Sequence, residues 1–213
     1  MSRVTILDYG VGNLRSVARA IEVAGGEPVL AETAFVARSA DRLLIPGVGA
    51  FQSCVDGMRS HGFDDVAREI VAAGRPVLGI CVGMQMLFEA SEEFGEHAGL
   101  GLLPGRVRAI PRQDDDGTRR KVPHIGWSRL LAPATARGDT GTLLEGHVGH
   151  ADVYFVHSFA ADPAEPGDRL ADALYAGARI SAAVARGNLT GVQFHPEKSG
   201  PSGLAMIRRF LDF

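Results

Sequence analysis

The first half of the chain alternates short apolar runs with helical patterns. That alternation predicts an α/β fold, a single domain (residues 1–213) whose central, mostly parallel mixed sheet is flanked by helices. Length and composition agree, since 213 residues with 46% hydrophobic content can bury one substantial core. From about Leu102 the runs become closely spaced, which adds antiparallel strands in the C-terminal half.

The elements follow in order. Val4 to Tyr9 reads as a strand and Leu14 to Ala24 as a helix that Gly25-Gly26 stops. Arg42 to Ile45 reads as the next strand, followed by helical runs Phe51 to Met58 and Phe63 to Ala72, the second closed at Gly74. Pro76 to Ile80 is an apolar run of the buried-strand kind, and Met84 to Glu93 is amphipathic and reads as a helix. Strands are then expected at Gly105 to Ile110, Lys121 to Trp127, Asp152 to Ala160, Ala171 to Tyr175, Ile180 to Ala185 and Leu189 to His195. Pro201 stands near the start of a last helix, Ser202 to Phe213, with Leu204, Ile207 and Leu211 on one face. The least ordered stretches are expected at Arg112 to Arg120 and Ala132 to Gly141.

Composition excludes several functions. A net charge of -3 gives no reason to expect nucleic acid. The two cysteines, Cys54 and Cys81, make neither a metal spacing nor a disulfide framework, which suits a reducing cytosol. No secretory apolar segment and no membrane-length span is visible, so a soluble, cytoplasmic protein is expected. Gly10-Val11-Gly12-Asn13-Leu14-Arg15 carries Arg15 where a dinucleotide fingerprint needs its third glycine. His147 and His150 lack the ligands to complete a metal shell and read as a polar loop. Asp114-Asp115-Asp116 reads as a solvated turn, Arg119-Arg120-Lys121 is too short a basic run to argue a partner, and Cys54 belongs to a helix's core face with Phe51 and Met58.

Gly79-Ile80-Cys81-Val82-Gly83 lies between the apolar strand and the helical run. Glycines two positions before and after a central residue relieve the crowding of a sharp strand-to-helix turn, the logic of a nucleophile elbow with sulfur in place of oxygen. A helix start would also favour the thiolate. A small buried core cysteine is the competing reading. Downstream, Pro196 biases His195 toward an extended backbone, so His195 and Glu197 are expected on one side, where the carboxylate can orient the imidazole. Alone this could be a polar strand end. With the Cys81 elbow it forms the nucleophile, base and orienter set whose members meet only in the fold. A third loop, Pro46-Gly47-Val48-Gly49, is either a plain turn or a source of backbone N–H groups that, with Val82, would hold an oxyanion.

Gly79 to Gln85, Pro46 to Gly49 and Gln193-Phe194-His195-Pro196-Glu197 resemble the class I, triad-type glutamine amidotransferases. Asp8 to Ser16, Pro123-His124-Ile125-Gly126-Trp127 and Glu197-Lys198-Ser199 narrow the resemblance to the glutaminase subunits of imidazole glycerol phosphate synthases, nearly end to end. What the resemblance implies is glutamine hydrolysis, with the ammonia passed to a barrel-shaped cyclase subunit in histidine biosynthesis. It assigns Cys81 as nucleophile, His195 as general base and acid, and Glu197 as orienter. Val48, Gly49 and Val82 become the oxyanion donors; Gly49, Gln85 and backbone near His157, Ser158 and Phe159 become glutamine contacts. Asn13, Trp127 and Lys198 become cyclase-facing positions, and no metal or cofactor is required. The expected assembly is a heterodimer. Glutaminases of anthranilate, purine or pyrimidine synthesis, a free-standing thiol hydrolase and a non-catalytic binding module are the rival readings.

Overall fold

The computed structural model describes residues 1–114, 116–134 and 138–213. Strands β1 (Arg3–Leu7), β2 (Glu27–Ala31), β3 (Leu43–Ile45) and β4 (Val77–Ile80) alternate with helices α1 (Leu14–Ala24), α2 (Ala34–Arg38), α3 (Phe51–Ser60) and α4 (Phe63–Ala72). A one-turn helix α5 (Val82–Gln85) follows, then β5 (Phe88–Ser91), β6 (His97–Ala98), β7 (Leu103–Ala109), β8 (His124–Arg129), β9 (Asp152–His157) and β10 (Phe159–Pro163). The chain ends with β11 (Arg169–Tyr175), β12 (Ala178–Arg186), β13 (Leu189–Val192) and α6 (Gly200–Phe210).

The central sheet has seven strands in the order β11-β12-β13-β4-β3-β1-β2. All pairs from β13 to β2 are parallel, and β11 and β12 add antiparallel at one edge. Strands buried on both faces read as continuous apolar runs, and every residue of β3, β4 and β13 is buried. Helices bury Ile21, Phe63, Ile70 and Phe210 against that sheet, each no more than 2% exposed. A four-stranded sheet, β10-β7-β5-β6, and the hairpin β8-β9 cover the rest. Parallel crossovers leave a crevice at the carboxyl ends of the strands. Here β3, β4 and β13 are neighbours, and their ends carry Pro46, Cys81 and Gln193 respectively.

Several expected boundaries move. The helix expected over Met84 to Glu93 stops after one turn, and Phe88–Ser91 is a strand paired with β6 and β7. The cause is tertiary: Leu100 N–H donates to the Met86 carbonyl and Leu102 N–H to the Leu87 carbonyl, both at 2.8 Å, taking acceptors a longer helix would use. Gly99 permits that approach, because a Cβ there would lie 2.2 Å from the Phe88 carbonyl oxygen. The strand expected over Asp152 to Ala160 breaks at Ser158, since β9 pairs with β8 and β10 with β7. Leu189–Val192 pairs antiparallel with β12, as expected, and also parallel with β4 on its other side. Strands β2 and β6 and helix α2 were not expected. In the stretch 112–120, Asp115 lies outside the described residues; Gln113 and Arg119 form a bridge, and Arg120 is buried, donating to the Ala176, Pro111 and Gln113 carbonyls. Residues 135–137 of the other stretch expected to lack order also lie outside the described residues. Among the described residues, no helix is long and apolar enough to cross a membrane.

Candidate active site

Cys81 sits between β4 and α5 with φ 54° and ψ -113°, a conformation few side-chain-bearing residues adopt. Its N–H donates to the Val192 carbonyl of β13 at 2.8 Å, which fixes the turn against the neighbouring strand. The flanking glycines make the turn possible. A Cβ on Gly83 would lie 2.0 Å from the Ile45 carbonyl oxygen, and one on Gly79 would lie 2.7 Å from that of Gly83. The expected helix-dipole contribution is correspondingly small, because α5 spans only four residues.

His195 is brought beside this turn from the end of β13, its N–H donating to the Tyr154 carbonyl at 2.9 Å. Its backbone is extended, as the following proline requires, but Glu197 reaches it from a 3-10 turn, Pro196–Lys198, rather than from a strand. Nδ1 is 2.8 Å from Glu197 Oε1, and both side chains are nearly inaccessible. Accepting at the carboxylate sets the Nδ1–H tautomer and leaves Nε2 free; this buried atom has no hydrogen-bond partner among the described residues. Burial pulls the imidazolium pKa down, but the neighbouring Cys81 and the Glu197 carboxylate outweigh it and raise the value to about 9.

A cavity of about 190 Å³ opens over the sulfur. Cys81, His195, Val48, Gly49, Val82, Gln85, His157, Ser158 and Phe159 all line it, so most residues singled out in the sequence meet in one place. Glu197 stands behind His195 instead. Lys198 reaches the cavity rim, with Nζ 5.9 Å over the Tyr154 ring, and Trp127, 58% exposed, packs edge-on against that ring. Asn13 caps α1 through Ser16 N–H, next to Gly12, whose hydrogen faces Pro46. Of these three, Lys198 lines the cavity, whereas Asn13 and Trp127 do not.

Sequence reasoning missed Glu93. It lines the cavity, and its Oε2 accepts the Phe51 N–H at 2.7 Å, capping α3 where the Ala50 methyl group cannot accept a hydrogen bond. Nothing in its neighbourhood of the sequence marks it, because the helix expected there becomes a strand.

The oxyanion donors do not converge. Val82 N–H donates to the Gly47 carbonyl at 3.3 Å, so the peptide between Gly47 and Val48 turns an oxygen toward the donor that was expected to be free. Tyr9 Oη holds the Pro46 carbonyl, and Cys54 Sγ lies 3.4 Å from the Val48 carbonyl. Cys54 is thus a core residue with a polar contact to this loop.

The sequence profile of the family described as glutamine amidotransferase class-I matches residues 5–212, and the chain belongs to that family. Within it, the chain is 47% identical over 211 residues, 99% of each chain, to imidazole glycerol phosphate synthase subunit HisH 1 of Legionella pneumophila (strain Lens). It is 40% identical to subunit HisH of Bacillus subtilis (strain 168), covering 97% of this chain and 94% of that one. In fold it is similar to a crystal structure titled as a glutamine amidotransferase, at TM-score 0.71 and 19% identity over 98% of this chain and 97% of the other. PurLQS from Thermotoga maritima is similar at TM-score 0.70 and 19% identity, over 99% and 97%.

Proposed function

We propose that the chain is the glutamine-hydrolysing subunit of an imidazole glycerol phosphate synthase and supplies ammonia to a separate cyclase subunit in histidine biosynthesis. The observation that carries the reading is a strained elbow sulfur beside an imidazole whose Nδ1 is anchored on a carboxylate and whose Nε2 is unpartnered. Near-full-length similarity to HisH subunits selects this glutaminase among those of the family.

In this reading His195 Nε2 takes the Cys81 proton, and the thiolate attacks the side-chain carbonyl carbon of glutamine. The carbon–nitrogen bond breaks as His195 returns the proton to the leaving ammonia. Water then loses a proton to His195 and cleaves the thioester, giving glutamate and restoring the thiol. Glu197 orients the ring and stabilises its charged form. Gln85 and Glu93, which both line the cavity, would receive the substrate's polar end, Glu93 opposite its α-ammonium.

The closed oxyanion loop favours a partner-dependent enzyme over a free-standing hydrolase. Turning the Gly47–Val48 peptide would release Val82 N–H and aim Val48 N–H at the oxyanion. Gly47, which flanks that peptide, supplies the hinge, and the neighbouring carbonyls are held by Tyr9 and Cys54. Exposed Trp127 and Ile125 on β8, with Lys198 across the Tyr154 ring and Asn13 at the start of α1, form the proposed cyclase-facing set. Co-purification with the cyclase, followed by an assay of glutamine-dependent imidazole glycerol phosphate formation, tests the reading; a chain that neither binds the cyclase nor supports synthesis would overturn it.

A further inference from the structure

From the cavity lining inward runs a chain of polar groups, of which the mechanism above uses only Gln85. Ser128 Oγ is 3.0 Å from His124 Nε2, and His124 Nδ1 is 3.1 Å from His157 Nε2. His157 Nδ1 is 2.8 Å from the Phe159 carbonyl, which also accepts from Gln85 Nε2 at 2.9 Å. Gln85 Nε2 donates a second time, to Gln193 Oε1 at 3.0 Å, and Gln193 Nε2 lies 3.7 Å from the Cys81 sulfur.

One acceptor-only group fixes every proton in this chain. The Phe159 carbonyl can only accept, so His157 carries its proton on Nδ1 and Gln85 turns its NH2 inward. A neutral His157 then accepts at Nε2, which places the His124 proton on Nδ1 and makes Ser128 the donor to His124 Nε2. Because Gln85 Nε2 occupies Gln193 Oε1, Gln193 has only its N–H groups to present to sulfur. The two imidazoles stay neutral. Burial pushes His124 down to about 4 and His157 to about 3, and His124 is stacked between Tyr175 and Phe155. Gln193 itself is fully buried, so its amide would be costly to leave unpaired.

We propose that Gln193 is a positioning residue for the nucleophile: held by Gln85 and the His124–His157 pair, its carboxamide donates an N–H to the Cys81 sulfur and stabilises the thiolate. This rests on reading Cys81 as the nucleophile. An anionic sulfur accepts an N–H more strongly than a thiol does, so the bond acts on ionisation rather than on glutamine binding. The other titratable groups around the sulfur are His195, Glu197 and Lys198 from the segment after β13, His157 from β9, Glu93 after β5, and Cys54 from α3. All remain in the Gln193 variants below.

The test follows Cys81 alkylation by iodoacetamide against pH in the cyclase complex, by mass spectrometry, beside kcat and KM. Gln193→Met, close in shape, is expected to raise the midpoint of thiolate formation by about one pH unit and lower kcat about tenfold, with KM within about twofold. Gln193→Glu, adding charge, should raise it further, and His157→Leu should raise it less. In the unaltered protein, the 15N-labelled Gln193 side-chain amide should titrate with the midpoint of Cys81 alkylation, a measurement independent of variant folding. An unchanged alkylation midpoint in folded Gln193→Met, or an amide signal indifferent to thiol ionisation, overturns the proposal. Failure of Cys81 to alkylate in the unaltered protein would instead sink the nucleophile reading.

Discussion

Binding of the cyclase, loaded with an unreactive substrate analogue, is expected to raise glutaminase kcat by about two to three orders of magnitude. In the unpartnered chain Val82 N–H is engaged by the Gly47 carbonyl at 3.3 Å, a long bond worth about 1 kcal/mol net. One oxyanion donor restored contributes roughly 3 to 4 kcal/mol to the transition state, far more than that bond costs to break. The difference lies in charge that develops after binding, so KM should move only a few-fold. Glutamate release, coupled to glutamate dehydrogenase, would be measured for the isolated chain and for the saturated complex. Trp127→Ala and Lys198→Ala should weaken docking or stimulation while Cys81 alkylation persists. A partner-free chain already at the full rate, or an effect confined to KM, would refute the reasoning.

Other expectations follow from the same geometry. Glu197→Gln removes one of the two groups that raise His195 to about 9, so the alkaline limb of the kcat/KM profile should move to lower pH and activity should fall less than in His195→Asn; a limb that stays in place would contradict the role. The sign in stability is fixed too. The His195 value lies above its ordinary 6.5, so the imidazolium's contribution is complete below pH 6.5 and is lost as pH rises through 9, which thermal melts can read. His124 and His157 act oppositely: depressed from 6.5 to about 4 and about 3, they favour folding above pH 6.5, and the melting temperature should fall as pH drops toward 4, less steeply in a His124→Phe variant. Gly83→Ala places a Cβ 2.0 Å from the Ile45 carbonyl oxygen, backbone that cannot yield cheaply, and should cost about 3 kcal/mol or more in urea unfolding; a loss under about 0.5 kcal/mol would show that the elbow has slack.

Much of this was legible because the informative groups are local. Gly79 and Gly83 announce the turn that carries Cys81, and Pro196 with Glu197 announces the environment of His195. Continuous apolar runs such as Val77–Ile80 mark strands buried on both faces. Where pairing is decided by distant segments, the sequence is silent. Phe88–Ser91 has a helical pattern but becomes a strand because Leu100 to Leu103 claims the preceding carbonyls. Strand β2 begins Glu27-Pro28 at the sheet edge, half exposed, and so lacks the apolar run that marked its neighbours. The closed oxyanion loop depends on the orientation of one peptide unit, and Gly47 permits either orientation. The Gln85 to Gln193 bond joins residues 108 positions apart, and Glu93 earns its place in the cavity only through the fold.

The most direct test is Cys81→Ala in the co-purified cyclase complex, assayed for imidazole glycerol phosphate formation with glutamine and, separately, with ammonium. Glutamine-dependent synthesis should vanish while ammonium-dependent synthesis continues at the rate of the unaltered complex. Persistent glutamine-dependent synthesis, or loss of the ammonium-dependent reaction in a complex shown to be intact, would contradict the assignment of ammonia production to this chain and its sulfur.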